Sequence, residues 1–174
     1  CAGENAAPSA TVQDGVRWME SQGERGAFRL GPEDRAGSIE IVAVGREPLD
    51  ALLAGLRGVV EIALMGDPAA LTATRNGTSS VPIRGRGGDL AATFGQIAAE
   101  TLGQLDDHGA GFAHVRVDGM LTADDGGYSA WGYLIGEGGW PSPAPLELAG
   151  PAQVEADGEG RVLLRCTLRR LGAR

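Results

Sequence analysis

The stretch Ser80–Leu121, SVPIRGRGGDLAATFGQIAAETLGQLDDHGAGFAHVRVDGML, decides how the chain folds. Val81-Pro82-Ile83-Arg84 reads as a short strand, and its proline suits an edge or a strand start, because proline cannot donate to a ladder. Gly85-Arg86-Gly87-Gly88 reads as a turn, and Asp89 as the helix N-cap whose carboxylate accepts from the first free N–H groups. Leu90, Phe94, Ile97, Ala98, Thr101, Leu102 and Leu105 recur at helical spacing, with Gln96, Glu100 and Gln104 on the opposite face. Asp106-Asp107-His108-Gly109 closes this helix, and Phe112 to Val117 begins the next strand.

Working outward, Ser38 to Val44 is rich in β-branched residues and predicts a strand. Pro48 suits a first helical turn, and the apolar spacing from Leu49 to Leu64 predicts a helix of more than four turns. Gly55 and Gly58 either weaken that helix or let another element approach it closely. Gly66-Asp67-Pro68 ends it. Asn76-Gly77-Thr78 is formally a glycosylation sequon and reads as a turn. Toward the N-terminus, Val16–Met19 and Ala27–Leu30 predict a hairpin around residues 21–26, while residues 1–14 are small and polar and predict a flexible segment. Toward the C-terminus, Asp124–Gly127 is a hairpin turn and Tyr128–Ile135 an aromatic strand. Gly136–Pro145 is a loop, and two strands flank Asp157–Gly160. The expected fold is α+β: a single domain over 15–174, with two helices on one face of a mixed, mostly antiparallel sheet. Continued βα alternation, which a doubly wound nucleotide fold requires, stops after the second helix.

Composition narrows the function. The chain has 174 residues, with 43% hydrophobic and 22% charged, an ordinary globular balance. Its formal net charge of −8 disfavours non-specific nucleic-acid binding and leaves room only for a local basic face. Every basic residue is arginine, which removes lysine nucleophiles and Schiff-base chemistry. No apolar run reaches the ~18 residues of a membrane span. A cytoplasmic location is expected, with a processed lipoprotein start at Cys1 as the alternative. Cys166 alternates with apolar residues and reads as a buried thiol.

Four groups are candidates for chemistry. The Gly85–Gly88 loop at a helix start can cradle phosphate, but Asp89 puts a negative charge there, and turn plus cap is the plainer reading. Asp106, Asp107 and His108, with His114, can bind a divalent ion, but helix C-termini disfavour acids. Trp131, Tyr133 and Trp140, with Glu137 nearby, can line a pocket or fill the core. Glu33, Asp34 and Asp67 are surface acids on their own account. No catalytic residue is assigned: Gly-x-Ser-x-Gly, Cys-x-x-Cys and His-Glu-x-x-His are all absent from the sequence.

From Gly26 to Arg169 the pattern resembles archease, a small protein that assists RNA ligation in tRNA splicing. The likeness is carried by Leu49-Asp50-Ala51-Leu52-Leu53, by Leu64-Met65-Gly66-Asp67-Pro68 (the family has LMVDP), and by Arg84-Gly85 with Gly88-Asp89-Leu90. Gln104-Leu105-Asp106, Phe112-Ala113-His114-Val115 and Gly136-Glu137 continue it. The resemblance implies an α+β scaffold, a non-enzymatic accessory role toward an RNA ligase or other protein partner, and a metal site at Asp67 with Asp34 in the comparable acidic loop. It departs at that site. Asp34-Arg35-Ala36-Gly37 replaces His-Thr-Ala-Asp, Leu148–Gln153 replaces a Lys-Ala-Val-Thr-Tyr-His segment, and Arg169 replaces an aspartate. A degenerate metal centre, and hence no divalent cofactor, is the expectation. A diverged small-molecule or protein-binding module on the same scaffold is the alternative.

Overall fold

A computed structural model describes residues 10–13, 16–20, 26–65 and 77–172. The elements run β1 (Ala10–Gln13), β2 (Val16–Glu20), β3 (Gly26–Leu30), β4 (Ser38–Gly45), α1 (Pro48–Ala63) and β5 (Ser79–Gly87). They continue as α2 (Leu90–His108), β6 (His114–Thr122), β7 (Tyr128–Gly136), β8 (Leu146–Leu148), β9 (Gln153–Ala156) and β10 (Val162–Arg170). The strands divide between two antiparallel sheets. The larger has the order β1-β2-β3-β4-β10, and the far edge of β10 is shared by β9 and β8. The smaller has β7 between β5 and β6.

Both helices lie where they touch both sheets. Helix α1 packs on β3, β4 and β10 and also on β6; α2 packs on β5 and β7 and reaches β8 and β9. This position explains the burial of α1. Ala51, Leu52, Gly55, Leu56, Val59, Val60 and Ile62 are all buried, so no single stripe suffices, as expected for a helix covered on nearly every side. Its glycines serve close approach: a Cβ on Gly55 would stand 2.7 Å from the Phe94 ring, and one on Gly58 2.7 Å from Ile41 Cγ2. Helix α2 is amphipathic in the usual way, burying Leu90, Thr93, Phe94, Ile97, Ala98, Thr101 and Leu105. The two helices and both sheets share one apolar core that includes Ile41, Leu52, Phe94, Ile83, Leu134 and Leu164.

The α+β class, the β2–β3 hairpin, both helices and the aromatic strand stand as the sequence predicts. Three local expectations change. Gly85-Arg86-Gly87 is not a turn but the end of β5, hydrogen-bonded in register with Tyr128–Ala130. Ala10–Gln13, placed by composition in a flexible segment, pairs with β2; the stabilising partner is another strand, which local composition does not carry. β8 has three residues, too few for a periodic signal.

Edge strand β5 is closed by side chains. Gln104 Nε2 donates to Pro82 O at 3.1 Å, and Arg86 N donates to Gln96 Oε1 at 3.0 Å. The polar face of α2 thus satisfies backbone groups that an edge strand leaves open.

Candidate functional site

The start of α2 is a capped helix. Asp89 Oδ1 accepts from Ala92 N at 2.8 Å, and Thr93 Oγ1 donates to Asp89 O at 2.8 Å and to Tyr128 O at 3.2 Å. The carboxylate therefore occupies the place a bound phosphate would need.

At the other end of α2, Asp106 and Asp107 are exposed, and the His108 ring meets Phe112 edge-on at 5.9 Å between centroids. His114 lies apart from them on β6. Partial burial, then Arg57 and Arg116, hold its imidazole below the ordinary value. Among the described residues no group of three or more His, Cys, Asp or Glu side chains is placed to hold a metal ion.

The end of the large sheet brings together the acidic loop, the end of α1 and the last strand. Asp34 Oδ1 accepts from the N–H groups of Ala36 and Ser38, each at 2.9 Å, so its carboxylate builds the turn into β4. Arg170 donates its backbone N–H to Gly37 O at 3.0 Å and its Nε to Glu33 Oε1 at 3.2 Å. Its other guanidinium arm lies 3.7 Å from Met65 Sδ. Arg169, one residue earlier and therefore on the opposite face, instead donates Nε to Glu147 Oε1 on β8 at 3.0 Å. Asp67 lies outside the described residues. The described groups do not fit a divalent cation: one carboxylate is committed to backbone donors, the other to a guanidinium, and the guanidinium adds positive charge. Leu148–Gln153 is a break between β8 and β9, with Gly150 at φ 92° followed by Pro151.

The aromatic candidates separate into two places. Trp131 and Tyr133 share the outer face of β7, where Trp131 is 39% exposed and the Arg116 guanidinium lies over the Tyr133 ring at 5.6 Å. Trp140 and Glu137 sit instead beside the segment that links α2 to β6: a Cβ on Gly111 would stand 2.5 Å from the Trp140 ring, and Glu137 N donates to Gly111 O at 3.2 Å. Among the cavities lined by other residues, two are mainly apolar. One, of about 370 Å³, lies between Leu102 and Asp106 of α2 and the segment Pro143–Leu148. The second, of about 500 Å³, lies between Pro48, Asp89–Ala91 and β9. Cys166 is the buried thiol expected, pushed up to about 12 by burial and by nearby Glu40, which removes it as a nucleophile.

Arg84, read as the end of a short strand, and Arg86, read as part of a turn, are not among the sequence candidates. Their signal is the spacing of two, shared with His114 and Arg116, which on strands places each pair on one face.

The described residues thus form an α+β fold of two antiparallel sheets with a helix pair between them. The same fold is present in the solution structure of Methanobacterium thermoautotrophicum protein 1598, which is similar with a TM-score of 0.57 and 14% sequence identity. The match covers 82% of this chain and 97% of that one. No protein-family model matches the chain, and no curated protein does.

Proposed function

We propose that this chain is an archease-like, non-enzymatic accessory protein that assists an RNA ligase or another tRNA-processing partner through protein–protein contact. The observation that carries the reading is the Arg170–Glu33 pair beside Met65, with Asp34 committed to its own turn. Beside Asp34, which the resemblance associates with a metal, stands the Glu33–Arg170 ion pair, and Arg169, which replaces the family's aspartate, pairs with Glu147 instead. On this reading the scaffold works without a cation, by presenting a surface. Among the described residues this end also has no general base matched to a nucleophile, which fits an accessory better than a catalyst.

The test is single-turnover guanylylation of the RNA ligase from the same cell, with and without the chain. The expected result is a faster guanylylation or a higher number of turnovers. An unchanged rate together with separate elution of the two proteins on gel filtration would refute the reading. The alternative of a binding module is favoured by one observation, the exposed Trp131 face.

A further inference from the structure

The outer face of the small sheet plays no part in the function just proposed. Alternation along β7 sends Ala130, Gly132 and Leu134 into the core and leaves Trp131 and Tyr133 on the other side. The register then fixes their neighbours. Arg84 of β5 and Gly119 of β6 flank Trp131; Pro82 and Arg116 flank Tyr133; Arg86 stands one row further along β5.

Gly119 is what shapes the surface. It follows the bulge between Val117 and Gly119, and a Cβ there would stand 2.9 Å from Trp131 Cε2. The indole therefore packs against bare backbone at Gly119, and Trp131 still stays 39% exposed. Such a ring is a flat π surface without a partner. The neighbouring Tyr133 carries the Arg116 guanidinium over it, a second planar group one pleat repeat away, roughly 7 Å along the strand.

Charge completes the pattern. Arg84, Arg86 and Arg116 are exposed around the two rings in a chain whose formal net charge is −8. Arg116 Nε is 2.7 Å from Asp118 Oδ1, whereas Arg84 and Arg86 form no ion pair among the described residues. An acidic peptide would satisfy the arginines and leave the indole face in water. A duplex hides the faces of its bases inside the stack. An unpaired strand offers both a planar base for Trp131 and phosphates for Arg84 and Arg86.

We infer that this face binds single-stranded nucleic acid, with a base stacked on Trp131 and the backbone held by Arg84 and Arg86. The inference does not depend on the ligase reading. Net charge excluded only a generally basic surface, and this one is local.

Fluorescence anisotropy of the full chain with a short labelled oligouridylate, over a salt series, tests it. Two phosphate contacts predict a log–log salt slope of about −1.4, falling to near zero in the double variant Arg84→Ala, Arg86→Ala. Trp131→Ala is expected to weaken binding at least about tenfold, while Trp131→Phe, which keeps a ring, stays within about threefold of wild type. Arg165→Ala, on the large sheet, leaves affinity unchanged and controls for general charge. Three results would overturn the inference: no binding at low salt, equal affinity for duplex, or binding of oligoglutamate as tight as RNA and indifferent to Trp131→Ala. The last would instead mark a surface for acidic protein segments.

Discussion

At Gly85 one missing methyl group sets the distance between a strand and a helix. A Cβ there would stand 2.6 Å from Ile97 N and 2.8 Å from Thr93 O, both backbone atoms that cannot swing aside. Gly88, three residues on, has nothing within 4 Å of the same construction. Gly85→Ala should therefore destabilise by about 1–3 kcal/mol, as overpacking does. Gly88→Ala should stay within about 1 kcal/mol of wild type, or gain slightly by restricting the unfolded chain. Denaturant unfolding reads both, and equal costs would refute the close packing of β5 on α2. The sequence shows four adjacent residues of turn-forming character and cannot show which of them face a helix. The same limit applies to Trp131: alternation says that Trp131 and Tyr133 share a face, but which face is core depends on what packs against β7.

At the scale of elements, the β9–β10 hairpin turns on one carboxylate. Asp157 Oδ1 accepts from Glu159 N at 2.9 Å and Arg161 N at 2.8 Å, and its Oδ2 accepts from Arg161 Nε at 2.7 Å. Desolvation raises its affinity for a proton, but the backbone donors of Arg161 and Glu159 and the Arg161 guanidinium together outweigh it, and the value falls below the ordinary 3.8. The folded group binds its proton less readily than the unfolded one. Its stabilisation is therefore present above pH 3.8 and is lost as the pH falls from there through the lower folded value. Amide exchange at Arg161 is expected to lose protection across that window, and Asp157→Ala should abolish the pH dependence. A wild-type amide with constant protection would sink the assignment. Elements of this kind were largely legible, because period and caps are local: α1, α2 with its Asp89 cap, β4 and β7 follow from spacing alone. The strands missed, β1 with 4 residues and β8 with 3, are too short to carry a periodic signal.

At the scale of the whole molecule, the helix pair joins the two sheets through Phe94. Its ring is fully buried, meets Gly55 of α1, and belongs to the core that also holds Leu164 of the large sheet and Ile83 of the small one. Phe94→Ala should cost about 3–5 kcal/mol. Because both sheets share that core, far-UV circular dichroism and tryptophan fluorescence should report the same lowered midpoint. Two separated transitions would show that the sheets fold independently. The division into two sheets was not legible, since it rests on pairings such as Cys166 with Ile41 that join distant parts of the chain. The candidate site was legible only in part: the sequence named Asp34 and the aromatic strand, but not the Arg170–Glu33 pair, whose members lie 137 residues apart, nor the arginines around Trp131. The edges of the sheets carry one more consequence. β5 has a proline and two glutamine side chains along its rim, β6 is bent by its bulge, and the rim of β10 is covered by two strands broken at Gly150-Pro151. None of these rims offers the long straight row of free amides and carbonyls on which a second copy could template itself, so resistance to fibril growth is built into the same glutamines that hold α2 to its strand.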